Sequence, residues 1–144
     1  MILSLLQEAK FDKVLVATVA GDTDTLTGDI VDLQDCDSVL GIAILGDVAS
    51  TAVVTLKAYT GDVATLTDGA YEAVTATVTA TATSADNKLL VLDIVKPGKR
   101  YVRFDVVRAT ANAVVDGVIA ARYNFRVAPT TQPADVVNSN TSGN

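Results

Sequence analysis

Seventeen carboxylates, eleven Lys and Arg side chains, one cysteine and no histidine are the chemically active stock of this 144-residue chain. Without His, the side chain best suited to moving protons near neutral pH is missing. Serine- and cysteine-type catalysis with a His base is thereby excluded, as is any zinc site built on imidazole. Cys36 stands alone between Asp35 and Asp37. It has no partner for an internal disulfide or a thiolate cluster, and the flanking carboxylates disfavour the thiolate. A passive, semi-buried thiol is expected, in keeping with assembly in a reducing cytoplasm.

The acids fall twice at Asp-x-Asp spacing, Asp22/Asp24 and Asp35/Asp37. Hard cations are held at that spacing, but neither pair runs into the Gly-bearing, Glu-terminated loop of a calcium hand. Turn-forming Asp is the plainer reading. Asp93 and Asp105 lie on neighbouring expected strands joined by a hairpin, where ion pairing with Arg103 or Arg108 is expected rather than acid–base work. The glycines lack any phosphate-cradling spacing. The residues point to a non-enzyme with no catalytic residue, no metal and no cofactor.

One basic group stands out. Lys96, Lys99, Arg100 and Arg103 surround Pro97-Gly98, beside Tyr101. Nucleic acid is disfavoured as a partner by a net charge of −6 and an isoelectric point near 4.4. Docking on an acidic protein surface fits the group better. The charge is also split along the chain: residues 1–95 hold four basic and fourteen acidic side chains, residues 96–144 seven and three. Contacts between copies that set unlike patches together suit such a split, and ordinary solvated charge explains it equally well.

The elements that carry these groups are strands. Hydrophobic residues make up 49% and charged residues 19%, but aromatics only 5%, so a core must be built from aliphatics, chiefly Val and Ala. Val and Thr suit a pleated, half-buried surface. Lys13 to Ala20 is a nearly continuous apolar run, expected as a strand covered on both faces. Further strands are expected at Thr25 to Leu33, Ser38 to Leu45 with a bulge or close approach at Gly41, and Ala52 to Tyr59. From Val74 to Thr83 apolar and Thr residues alternate strictly, which reads as a strand with one packed face and one hydroxyl face. Lys88 to Val95 turns through Pro97 and a positive-φ Gly98 into Arg100 to Arg108, where Val102, Phe104 and Val106 point inward and Arg103 and Asp105 outward. Val114 to Val127 closes the count at about eight, with Gly117 placed to bend it. The pattern specifies an all-β fold: a single antiparallel β-sandwich, jelly-roll-like or Ig-like, at residues 13–128.

The ends differ from the sandwich. Residues 1–12 form an arm whose apolar residues, Ile2, Leu3, Leu5 and Leu6, close the domain's own core or dock on a neighbour. Its apolar run is too short for a signal peptide or a membrane span, so no membrane partner is expected. Residues 129–144 are a polar tail, expected to be mobile alone and to order on a partner.

Two segments add a context. Asp86-Asn87-Lys88-Leu89-Leu90-Val91-Leu92-Asp93-Ile94-Val95-Lys96-Pro97-Gly98-Lys99-Arg100-Tyr101-Val102-Arg103, continued by Arg108-Ala109-Thr110-Ala111-Asn112-Ala113-Val114-Val115-Asp116, resembles small proteins encoded beside the major capsid protein of tailed bacteriophages. The likeness covers roughly residues 38–127 and is most specific at Lys96, Pro97, Lys99, Arg100, Tyr101 and Val102. It implies a virion structural protein assembled in the bacterial host cytoplasm, most plainly a head decoration or cement protein. Such a protein binds the major capsid protein on the outside of the shell, and members are commonly trimeric. A head–tail connector or tail component is the nearest alternative. An Ig-like host- or carbohydrate-binding module is the other, disfavoured by the scarcity of aromatic residues for stacking sugars. The contact residues expected are Ile2, Leu3, Leu5, Leu6, Lys96, Lys99, Arg100 and Arg103.

Overall fold

The computed structural model describes residues 3–137, apart from the side chains of residues 71–74. One helical turn, α1 (Leu5–Glu8), precedes nine strands: β1 (Ala9–Leu15), β2 (Thr18–Gly21), β3 (Asp24–Asp32), β4 (Cys36–Val48), β5 (Val53–Gly61), β6 (Ala70–Thr79), β7 (Leu89–Val95), β8 (Tyr101–Ala109) and β9 (Ala113–Phe125). The first sheet has the order β1-β9-β4-β7, with β2 also on β9, and the second the order β3-β8-β5-β6. Every pairing is antiparallel. With β1 and β2 taken as one interrupted strand, the chain crosses between sheets at every step except β5–β6. That is the jelly-roll connectivity, which selects between the two sandwich topologies left open by the sequence.

The β1–β2 interruption departs from the single covered strand expected over Lys13 to Ala20. Val16 and Val19 are 61% and 84% exposed, and Val14 is the buried residue of the run. The ladder with β9 slips between Lys13 and Leu15, where Gly117 takes φ +146 against the Leu15 carbonyl. A bulge there re-aims the chain, and hydropathy alone does not register it. The Thr/Ala strand likewise starts earlier, at Ala70, and stops at Thr79. Ala82 adopts φ +51 and is exposed, so the alternation runs on into a turn.

Alternation elsewhere places the core. Val54, Leu56 and Ala58 of β5 and Val102, Phe104 and Val106 of β8 are fully buried, and Leu90, Leu92 and Ile94 of β7 point inward. Phe104 is the largest fully buried side chain. Its ring lies over Gly41 of the facing sheet, where a Cβ would sit 2.5 Å from the ring. The glycine in β4 is thus a notch for the aromatic ring, a close approach rather than a bulge.

Two charged devices reinforce the packing. Arg108, buried on β8, donates from Nε to Asp24 Oδ1 (2.6 Å) and from Nη1 to the carbonyls of Val19 (2.7 Å) and Ala113 (2.8 Å). One guanidinium therefore joins β8 to β3, β2 and β9, and every donor direction it uses finds an oxygen. Asp105 faces outward as expected but is buried there; it accepts from Arg103 Nε (2.9 Å) and from the Gly28 N–H (3.1 Å) at a bulge in β3. Asp93 is in the other sheet and accepts from Tyr123 Oη at 2.7 Å. The chain from β7 to β8 is consequently a crossing between sheets and not the hairpin expected, although Gly98 does take φ +70.

The tail does not leave the domain at residue 129. Gln132 accepts from the Phe11 N–H (3.2 Å) and donates to the Leu6 and Ala9 carbonyls, and Asp135 accepts from the Lys13 N–H (3.0 Å). Side chains here take the place of a neighbouring strand along β1. The rest of the expected tail, from residue 138, lies outside the described residues.

Two outcomes test this arrangement. Phe104→Ala is expected to lower unfolding free energy by about 3–5 kcal/mol, and Gly41→Val by about 1–3 kcal/mol through overpacking, both read by urea denaturation. The Arg108 hydrogen bonds hold the Asp24 carboxyl below its usual range, and Arg100 does the same for Asp32. A carboxylate depressed in the native state stabilises it above about pH 4 and loses that effect as pH falls through the native value. The denaturation midpoint should hold between neutrality and pH 5 and drop below pH 4, and Asp24→Asn should start lower and fall less steeply.

Candidate protein-docking surface

The two outer faces of the sandwich are chemically opposite. On the second sheet, the register aligns Thr77, Thr55, Val107 and Thr25 in one row and Thr75, Lys57, Asp105 and Thr27 in the next. Thr77 donates to Thr55 across the strands at 3.0 Å. This face is hydroxylated and charged, as a solvated sheet face is expected to be.

The outer face of the first sheet is apolar. Its rows read Lys13, Ile119, Ile42, Val91 and then Phe11, Ala121, Leu40, Asp93. Directly opposed residues share a face and pack laterally, so an apolar surface runs through Phe11, Ala121, Leu40, Ile119, Ile42 and Val91, with Lys13 and Asp93 at its borders. On β7 it is well exposed, at 57% for Leu89, 49% for Val91 and 60% for Val95. Where α1 meets the sheet it deepens into a groove of about 610 Å³ lined by Leu5, Phe11, Leu40, Ile42, Ala121 and Phe125. Glu8 lines the groove at its α1 side, and on the sheet Asp93 is engaged by Tyr123, whose phenol is pushed up by burial and by that carboxylate and so stays a donor. A contiguous apolar face of this extent on a domain surface is the signature of a protein contact.

The expected contact residues separate on this geometry. Leu5 lines the groove and is 67% exposed, while Leu3 and Leu6 are half-buried. Ile2 lies outside the described residues. The basic group gathers around the β7–β8 crossing, away from the groove, and most of its charge is answered from within. Lys99 pairs with Asp62 (2.5 Å), Arg100 with Asp32 (2.8 Å) and Gln34 (2.7 Å), and Arg103 with Asp105 (2.8 Å). Lys96 makes no ion pair among the described residues. The Lys99 and Arg100 pairs pin the crossing to the end of β3 and the loop that follows β5, while Arg103–Asp105 lies within β8.

The residues that sequence reasoning passed over are Leu40, Ile42, Leu89 and Val91. Their signal was present: Ser38 to Leu45 and Lys88 to Val95 are apolar at both parities, which means two apolar faces. Such a run reads as a strand covered on both sides within its own domain. Here the second cover is missing.

Cys36 is buried at the start of β4, and its thiol is pushed up to about 11, first by burial and then by Asp37 and Asp35. It is expected to resist alkylation at pH 8 in the folded protein and to react fully in denaturant, as read by mass spectrometry. Among the described residues, no group of three or more acidic or cysteine side chains is placed to hold a metal ion, and no helix is long and apolar enough to cross a membrane.

No protein-family model matches the chain, and no curated protein sequence matches it. Solved structures do. The structure of infectious bursal disease virus, Gx strain, superposes with a TM-score of 0.51 at 11% identity, over 81% of this chain and 32% of that one. The VP2 subviral particle of infectious bursal disease virus gives 0.50 at 13% identity, over 81% and 33%. The chain thus spans about a third of the length of each. At these identities the shared feature is the fold, a jelly-roll sandwich.

Proposed function

We propose that this chain is a non-catalytic structural protein of a virion, specifically a decoration or cement protein of a tailed-phage head. It binds the major capsid protein on the outside of the shell through the outer face of the first sheet. The observation that carries this reading is the apolar face running through Phe11, Leu40, Ile42 and Val91, half-exposed on β1 and β4 and open on β7. Three further points support it. The jelly-roll is a recurrent capsid architecture, and the structural neighbours include a subviral particle. Residues 86–103 and 108–116 resemble capsid-associated phage proteins. The neutralised cations of the β7–β8 crossing leave little free positive charge for a nucleic-acid backbone.

A cement protein needs no chemistry. It needs a rigid body with one sticky face, because many weak copies on one lattice act together. A sandwich with one solvated and one apolar outer face meets that need, and α1 deepens the apolar face at its edge.

The test is co-sedimentation of the purified protein with shells assembled from the neighbouring major capsid protein. Wild-type protein should pellet in near-lattice stoichiometry, and Leu40→Lys with Ile42→Lys should reduce binding by at least about tenfold while leaving the fold intact. Equal binding by that double variant, or a few copies per particle in a single ring, would overturn the decoration reading; the ring would make it a connector.

A further inference from the structure

We infer that β7 is an open pairing edge through which two copies of this chain join, antiparallel, about a two-fold axis. The direction of its backbone groups fixes which residues do this. At the ends of the β4–β7 ladder, the Leu45 N–H donates to the Lys88 carbonyl (2.9 Å) and the Lys96 N–H to the Asp37 carbonyl (3.0 Å). Hydrogen-bonded pairs alternate along an antiparallel ladder. With the register Ile44↔Leu89 to Ser38↔Val95, Leu90, Leu92 and Ile94 therefore address β4. Leu89, Val91, Asp93 and Val95 address the other side, and among the described residues β7 has no second neighbour in its sheet.

The remaining edges carry protection that β7 lacks. Along β1, Gln132 and Asp135 occupy the Phe11 and Lys13 amides. The edge strand β3 is bulged between Thr27 and Ile30 and carries Asp24, Asp29 and Asp32. β2 is four residues long, and β6 bulges where its register on β5 slips between Lys57 and Tyr59, opposite Thr75 and Tyr71. Such devices are how sheet proteins blunt their edges. β7 is seven residues without Pro, Lys or a slip in register. Its one charge, Asp93, is already held by Tyr123.

A second copy is the occupant that fits. A two-fold at Leu92 uses the whole strand, setting Leu89 opposite Val95 and Val91 opposite Asp93 of the other copy. Leu89 and Val95 then meet across the axis, Val91 lies against the Asp93 of the other copy, and the two outer faces become one. The same patch serves on both partners, so the contact closes on itself. The far edges of the joined sheet are the tail-covered β1 strands, so growth by further strand addition is blocked. This inference concerns the isolated chain and stands apart from shell binding.

The experiment is sedimentation equilibrium of the full-length protein over a micromolar concentration series. The wild type should show a reversible species of two chains, and amide exchange should slow at Val91 and Asp93 as concentration rises. Val91→Pro removes an edge N–H that β4 does not use, and Leu89→Lys adds an edge charge. Each should weaken the association at least about tenfold with the melting temperature held. Leu89→Lys carries the result if the proline variant does not fold. Val19→Lys, at an exposed site on β2, should leave the association unchanged. A wild type of one chain at every concentration, or an association of two or three chains that Leu89→Lys leaves intact, would overturn the inference.

Discussion

The spacing and alignment of the two sheets rest on one contact, the Phe104 ring seated over Gly41. No other fully buried residue described here is as large, and no side chain at position 41 would leave it room. Around it the core is aliphatic, with Val39, Leu45, Leu56, Val102 and Val106 each essentially without exposure. Small, stiff β-branched side chains fill space between sheets with little loss of rotamer freedom, and they offer few large-into-small fits between the facing sheets. A single ring in a single notch supplies that fit. Position 28 is constrained from the same strand, since a side chain there would strike the Phe104 carbonyl.

Because the interior is nearly all hydrocarbon, the charges work at its borders. Arg108 closes the end of the sandwich where β2, β3, β8 and β9 converge, and Arg122 bridges Asp12 on β1 and the Asp32 carbonyl on β3. Acidic residues early in the chain meet basic residues late in it. Among the described residues, five of the seven late cations pair with acids from the first 95 residues, so most of the late positive charge is used within the domain. This accounts for the asymmetry without a partner, and it shifts the weight of the contact argument from the cations to the apolar face.

That face and the β7 edge share residues, so the surface suited to another protein and the edge suited to a second copy are continuous. The tail contributes by occupation: Gln132 and Asp135 satisfy β1 amides that would otherwise template another strand.

The sequence by itself determined the fold class, most strand positions and the inward-facing residues of β5, β7 and β8, because period-two alternation is local and burial follows it. The lack of imidazole chemistry was likewise decided by composition. Cys36 was legible as passive, though burial turned out to outweigh the flanking carboxylates as the cause. Only the tertiary structure decided that β7 and β8 belong to different sheets, that Asp105 is buried, and that Lys96 to Arg103 form a stapled crossing. Pairing partners far apart in the chain leave no local trace, and a Pro-Gly turn looks the same within a sheet and between sheets. It also decided the site. Leu40, Ile42 and Val91 drew no reading of their own, since hydropathy reports that a face is apolar and not whether the same chain covers it.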